Sequence, residues 1–184
     1  MQDDEAMDLY KRSAELGNPR AMFNLAFMYS DVEGIPQDWE KAYYWYCRSA
    51  ESGNLIALYR VAVMDEEGRG VEPDLDKAIR GYEMCLKEGH PKSGYRLGCM
   101  YRDGRGVRMS LDKAVGYFYK AAELARLERE YNNVKKQLDG VMARLNNPAF
   151  TDKAPEAVVN GAREQAAQMQ EKLNLLTQSM DALK

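Results

Sequence analysis

An all-α fold is expected for this sequence: a stack of helix pairs that continues through a shared long helix into an antiparallel two-helix coiled coil. Three observations lead there. Sliding the chain by 36 residues aligns Gly17 with Gly53 and Gly89, Met28 with Met64 and Met100, and Gly34 with Gly70 and Gly106. The fourth copy carries Ala125 where the recurring glycine belongs. Beyond it, two runs of apolar residues follow three-four spacing. With 184 residues, 45% hydrophobic and 30% charged, the chain suits one or two small globular domains.

The first element is a lone helix, "DDEAMDLYKRSAEL", that ends at Gly17 and reads as half of a repeat, a short second helix serving as end cap. Each following unit is a helix pair. Asn18, Asn54 or His90 stands as cap of the first helix, with Pro19 or Pro91 at the first helical position of two copies. A Gly-rich turn follows. Asp38, Asp74 and Ser110 then cap the second helix, which in the first two pairs runs to Gly53 or Gly89, where a left-handed residue closes it. Small residues at Ala26, Ala62 and Gly98 permit close helix approach, while Leu25, Val61, Leu97 and the rings of Tyr46, Tyr82 and Phe118 fill the layers.

The stretch "NPRAMFNLAFMYSDVEGIPQDWEKAYYWYCRSAESG" resembles a Sel-like repeat, a cousin of the tetratricopeptide repeat. Its 36-residue period and the "GRGV" turns at 68–71 and 104–107 separate it from the roughly 34-residue tetratricopeptide pattern. The likeness covers about residues 4–125 and implies a helical solenoid. Two departures stand out: Asp65 replaces the Tyr29 and Tyr101 of the other copies, and the first turn, "DVEGI", lacks a second glycine. Some members of the family staple each helix pair with a disulfide. Here Cys47, Cys85 and Cys99 fall at unrelated repeat positions, so reduced, buried thiols are expected.

Without glycine at 125 nothing stops the last repeat helix, and a single helix over 111–145 is expected, about 50 Å long at a rise of ~1.5 Å per residue. Along it Leu124, Leu127, Tyr131, Val134, Leu138, Val141 and Leu145 form a heptad seam. After a turn punctuated by Pro148 and Pro155, Val159, Ala162, Ala166, Met169, Leu173, Leu176, Met180 and Leu183 form a second. So short a connection favours an antiparallel hairpin, tied at its base to the repeats. The domain reading is therefore 1–125 for the repeats and 126–184 for the hairpin.

The hairpin tip also carries a resemblance. Leu145, Asn147, Phe150, Lys153, Ala154, Pro155, Val158 and Val159 match the L-x-N-x-x-F-x-x-K-A-P-x-x-V-V tip of the C-terminal arm of valyl-tRNA synthetases; related arms end some ribosome-associated ATPases. That likeness implies tRNA contact and makes Lys135, Lys136, Arg144, Lys153 and Arg163 candidate phosphate partners. Charge argues for a solvated face instead, since residues 126–184 hold nine Lys and Arg against eight Asp and Glu.

No catalytic set can be assembled around a single histidine, and His90 reads as a helix cap. The "GRG" turns lack the Lys-Ser/Thr of a phosphate loop, and Glu66-Glu67 reads as solvated charge at an exposed helix end. Neither enzyme activity, cofactor nor metal is expected. The acidic N-terminus and the absence of any long apolar run point to a cytoplasmic chain outside the membrane. One surface recurs: Phe23, Tyr59 and Tyr95, with Asn24, Arg60 and Arg96 beside them, form a stripe suited to an extended peptide or an acidic segment. Two family signatures sharing one helix with no linker suggest an engineered rigid fusion. A natural protein-interaction adaptor and a tRNA-contacting arm are the alternatives.

Overall fold

The computed structural model describes residues 2–31 and 36–184. Gly34 and the rest of the "VEGI" turn lie outside the described residues. The regular elements among those described are all helices: α1 (Gln2–Glu15), α2 (Pro19–Asp31), α3 (Trp39–Glu51), α4 (Leu55–Glu67), α5 (Leu75–Lys87), α6 (Pro91–Asp103), α7 (Leu111–Leu145), α8 (Pro148–Thr151) and α9 (Glu156–Asp181). The chain divides into two compact units, Met1–Phe118 and Tyr119–Lys184.

In the first unit the caps arise as their residue types dictate. Asn18 Oδ1 accepts from the N–H groups of Arg20 and Ala21 at 3.0 and 3.1 Å, and Asn54 Oδ1 accepts from Ile56 and Ala57 at 3.1 Å. Asp38, Asp74 and Ser110 accept from Lys41, Lys77 and Lys113 at 3.0, 2.8 and 3.4 Å. His90 corrects the expectation. It occupies the cap position of α6 but makes no side-chain cap bond. Its Nδ1 instead lies 2.9 Å from Ser93 Oγ, and its ring sits 4.6 Å from that of Tyr59, so the ring is engaged by side chains rather than by the helix N–H groups.

Gly17, Gly53 and Gly89 take φ values of 90°, 89° and 85°, the left-handed region that a side chain would strain. At Gly53 the N–H donates to Ala50 O at 2.9 Å, and the N–H of Asn54 donates to Ser49 O at 3.1 Å, which closes the carbonyl end of α3. With Ala125 at the fourth such position, α7 runs its 35 residues without interruption.

The packing of the pairs repeats with the frame. Phe23 meets Tyr46, Tyr59 meets Tyr82 and Tyr95 meets Phe118, with ring centroids 5.4, 5.9 and 5.5 Å apart. A Cβ at Gly98 would stand 2.5 Å from Phe118 Cε1, so this small residue is what admits the ring. Leu25, Ala26, Tyr46, Ala62, Tyr82 and Leu97 are all buried. The three cysteines are free, as their positions suggested, but only Cys85 is buried. Cys47 and Cys99 are half-buried, because they lie at the borders of the helix faces that the stack covers.

The second unit is a hairpin. Leu127, Val134, Leu138 and Val141 of α7 form one apolar cluster with Ala162, Ala166, Leu173 and Leu176 of α9, bordered by Tyr131, Leu145, Met169, Met180 and Leu183. An ion pair of 2.8 Å between Lys172 and Glu130 bridges the two helices. The connecting turn holds the single-turn helix α8, whose Asn147 caps it by accepting from Ala149 N–H at 3.0 Å. Among the described residues no helix is long and apolar enough to cross a membrane.

Candidate functional site

The aromatic stripe is braced from behind by the core rings described above, and it is most exposed at its third member. Phe23 and Tyr59 are half-buried, whereas Tyr95 is 59% exposed. Asn24 borders a hollow of about 480 Å³ lined by Leu9, Tyr10, Arg20 and neighbouring side chains. The two arginines of the stripe, equivalent in the frame, have different surroundings. Arg96 is tied to intramolecular carboxylates, at 3.3 Å from Glu66 Oε2 and 3.5 Å from Glu67 Oε1. Arg60 makes no ion pair among the described residues; it borders a cavity of about 40 Å³ together with Ser30, Asp31, Trp39, Tyr46, Glu67 and Arg69.

The C-terminal end of α4 overturns one expectation outright. Glu66 is buried, with its side chain only 3% exposed, and it organises a network rather than meeting solvent. Tyr82 donates its hydroxyl to Glu66 Oε2 at 2.6 Å, and Arg105 Nη1 approaches Oε1 at 2.9 Å. Together with Arg96 these donors satisfy both carboxylate oxygens, the condition under which a buried charge is tolerated. Glu67 beside it is exposed, as expected, and pairs with Arg69 at 3.0 Å.

Asp65, the residue that departs from the repeat pattern, is also buried. It accepts from Tyr43 Oη at 2.7 Å and lies 3.3 Å from Lys77 Nζ, while Lys77 in turn bonds the Tyr43 hydroxyl. In the neighbouring copies the equivalent lysines, Lys41 and Lys113, rest over the rings of Tyr29 and Tyr101 at 5.5 and 5.0 Å. The substitution therefore exchanges a ring for a carboxylate under the same cation. Burial pushes the Tyr43 phenol up to about 12, and its hydrogen bond to Tyr43 raises Lys77 to about 12. Burial, then the bond to Glu66, drives Tyr82 well above the ordinary phenol range. Burial, then the charge of Lys92, holds His90 below its ordinary value.

Sequence reasoning missed this network of Tyr43, Asp65, Glu66, Lys77, Tyr82 and Arg105. The available signal lay in the frame: Glu66 stands where the other copies have Ser30 and Arg102. Among the described residues no group of His, Cys, Asp and Glu is arranged to hold a metal ion.

On the hairpin, Lys135, Lys136, Arg144, Lys153 and Arg163 are all exposed. Arg144 lies over the Phe150 ring at 4.9 Å, and Arg163 Nη1 donates to Asn160 Oδ1 at 3.3 Å. These cations alternate with Asp139, Asp152, Glu156 and Glu164, which are exposed as well.

Comparison with known proteins finds two families. The model described as Sel1 repeat matches residues 2–18, 19–54, 55–84 and 91–125, and that of the valyl tRNA synthetase tRNA binding arm matches 121–184. The chain is 34% identical over 64 residues to a chloroplastic/mitochondrial valine–tRNA ligase of Arabidopsis thaliana, covering 35% of this chain and 7% of that protein. With the valine–tRNA ligase of Ruegeria pomeroyi it shares 40% identity over 62 residues, 34% of this chain and 6% of that one. The matched segment is thus a small part of those ligases and is confined to the arm. Among solved structures, a Sel1 repeat protein from Oxalobacter formigenes aligns with a TM-score of 0.58 and 25% identity over 62% of this chain and 88% of its own. A protective antigen of uropathogenic Escherichia coli with an SLR fold aligns at 0.61, with 23% identity over 88% of this chain and 40% of its own.

Proposed function

Because the chain belongs to the Sel1 repeat family, we propose that it is a non-catalytic, cytoplasmic interaction scaffold whose repeats, residues 1–125, bind an extended peptide of a protein partner along the Phe23, Tyr59 and Tyr95 stripe. The observation that carries this reading is the ring pairing repeated at each helix pair. Each stripe residue is held by a ring behind it, so a bound peptide meets surfaces already fixed in place, and little ordering cost remains at association. The test is a peptide array probed with the full chain and with Tyr95→Ser. Tyr95 is the most exposed of the three rings, so its loss leaves the core intact. Peptides captured by the wild type and lost by the variant support the reading; identical capture by both removes the stripe. Arg96→Glu is unsuitable here, since it would set a second carboxylate against Glu66 and disturb the fold itself.

A second reading concerns the hairpin, proposed as residues 126–184. The arm-family match and the exposure of all five candidate cations favour tRNA contact. A gel shift with tRNA over a salt series decides it, because phosphate contacts weaken steeply as salt rises. Absence of a shift at micromolar protein excludes the arm as a tRNA ligand. The engineered-fusion reading makes the unbroken α7 a deliberate rigid join, and its test is whether any genome encodes residues 100–150 contiguously.

A further inference from the structure

The 36-residue frame allows the two helix-pair boundaries of the first unit to be compared atom for atom. At the second boundary the Glu66 carboxylate is enclosed by Tyr82, Arg96 and Arg105. One repeat earlier the same positions hold Tyr46, Arg60 and Arg69, so all three donors recur. The carboxylate does not, because Ser30 stands in place of Glu66. Ser30 Oγ lies 3.3 Å from the Tyr46 hydroxyl and, within its own helix, 3.1 Å from Phe27 O and 3.4 Å from Asp31 Oδ2, and it is too short to reach the arginines as Glu66 does. The space that a glutamate would occupy remains as the cavity of about 40 Å³ that these four residues border, enough for one carboxylate group.

From this correspondence we infer that Ser30, Tyr46, Arg60 and Arg69 form a carboxylate-binding niche, and that its occupant is the side-chain carboxylate of an acidic residue in a partner peptide. Trp39, Val63 and Met64 supply apolar walls that strengthen a charged hydrogen bond. Arg69 is steadied by its ion pair with Glu67 and by the Trp39 ring, 5.0 Å beneath its guanidinium. Asp31 and Glu67 also border the niche. Their charge does not forbid a guest: at the second boundary Glu67 holds the place of Asp31 and lies 3.5 Å from Arg96 while Glu66 is bound. The niche shares Arg60 with the proposed peptide stripe and so deepens that reading, but its first test needs no peptide.

The first test compares thermal unfolding of the full chain with that of Ser30→Glu and Ser30→Gln, in sodium formate and in sodium chloride of equal ionic strength. Ser30→Glu should melt above Ser30→Gln by roughly 2–4 °C, since it installs the missing group from within. Formate should raise the melting temperature of the wild type in a saturable way and leave Ser30→Glu unmoved. Glu66→Ser, which opens a second such niche, should regain stability in formate by a larger shift than the wild type. Equal responses of the wild type and Ser30→Glu to formate, or no advantage of Glu over Gln at position 30, would overturn the niche.

The second test measures fluorescence anisotropy of a labelled peptide of alternating Leu and Glu against its Leu-Gln twin. Tighter binding of the Glu peptide, weakened about 10-fold or more in Ser30→Glu, supports the assignment. Equal binding to both proteins refutes the niche and leaves the stripe reading standing. A formate response with no binding of either peptide retains the carboxylate site but overturns the peptide as its source, and the stripe with it.

Discussion

The two boundaries between helix pairs are built on the same frame and behave differently. Between α4 and α6 a buried glutamate gathers a tyrosine and two arginines. Between α2 and α4 the same tyrosine and arginines surround a serine and a small cavity. The third copy dispenses with the arrangement altogether, pairing Arg102 with Asp103 at 2.7 Å where Phe118 has no hydroxyl to satisfy. A repeat frame thus determines where a side chain goes, while the residue type at a single position in that frame decides whether the boundary is filled by a carboxylate of the protein or keeps a small cavity.

Removing the closing group should break the comparison most severely. Glu66→Ala leaves two arginines and a phenol without their shared acceptor, and the loss expected in urea unfolding is about 3–5 kcal/mol. Ser30→Ala, which gives up contacts of 3.1–3.4 Å with Phe27 O, the Tyr46 hydroxyl and Asp31 Oδ2, should cost about 1 kcal/mol. Comparable losses for the two variants would mean that the Glu66 network contributes no more than the serine.

The next effect in size concerns close approach. Gly98→Ala forces Phe118 from its seat and should cost about 1–3 kcal/mol, measured the same way, with Phe118→Leu restoring part of it in the double variant. At the preceding boundary Ala62 already carries a Cβ, and it is Gly81 on the facing helix that would bring one within 2.9 Å of it. The small residue has changed sides between the two layers.

The smallest effect is a pH dependence. Tyr43 and Lys77 are raised to about 12 and Cys85 to about 11, so the folded chain holds these protons more tightly than the unfolded one. Stability from these groups is complete below their unfolded values and drains away as pH climbs towards about 12. Urea midpoints recorded across the alkaline range should fall, and Tyr43→Phe should flatten the decline. A midpoint independent of pH there would contradict the arrangement of Tyr43 and Lys77 around the buried Asp65 carboxylate.

Much of the fold was legible because it rests on local rules. The glycine ends, the Asn and Asp caps and the three-four seam of the hairpin each depend on residues within a turn or two of one another. The candidate site was legible only in its outline. The stripe of Phe23, Tyr59 and Tyr95 followed from the period, but the burial of Glu66 did not. Its partners lie 16, 30 and 39 positions away in sequence, and an unpaired glutamate would belong in water. His90 was misjudged for a related reason: the cap position was right, but the choice between a backbone partner and Ser93 depends on ring geometry that residue type alone does not specify.

A pair of double-mutant cycles, Glu66 with Arg96 and Ser30 with Arg60, tests the contrast between the boundaries most directly. The closed boundary should show a coupling energy of about 1.5–3 kcal/mol, as a charged hydrogen bond from a half-buried arginine to a buried carboxylate supplies. The open one should be additive within about 0.3–0.5 kcal/mol. Equal coupling in both cycles would contradict the account, because the serine boundary would then be closed already and have no place for a guest carboxylate.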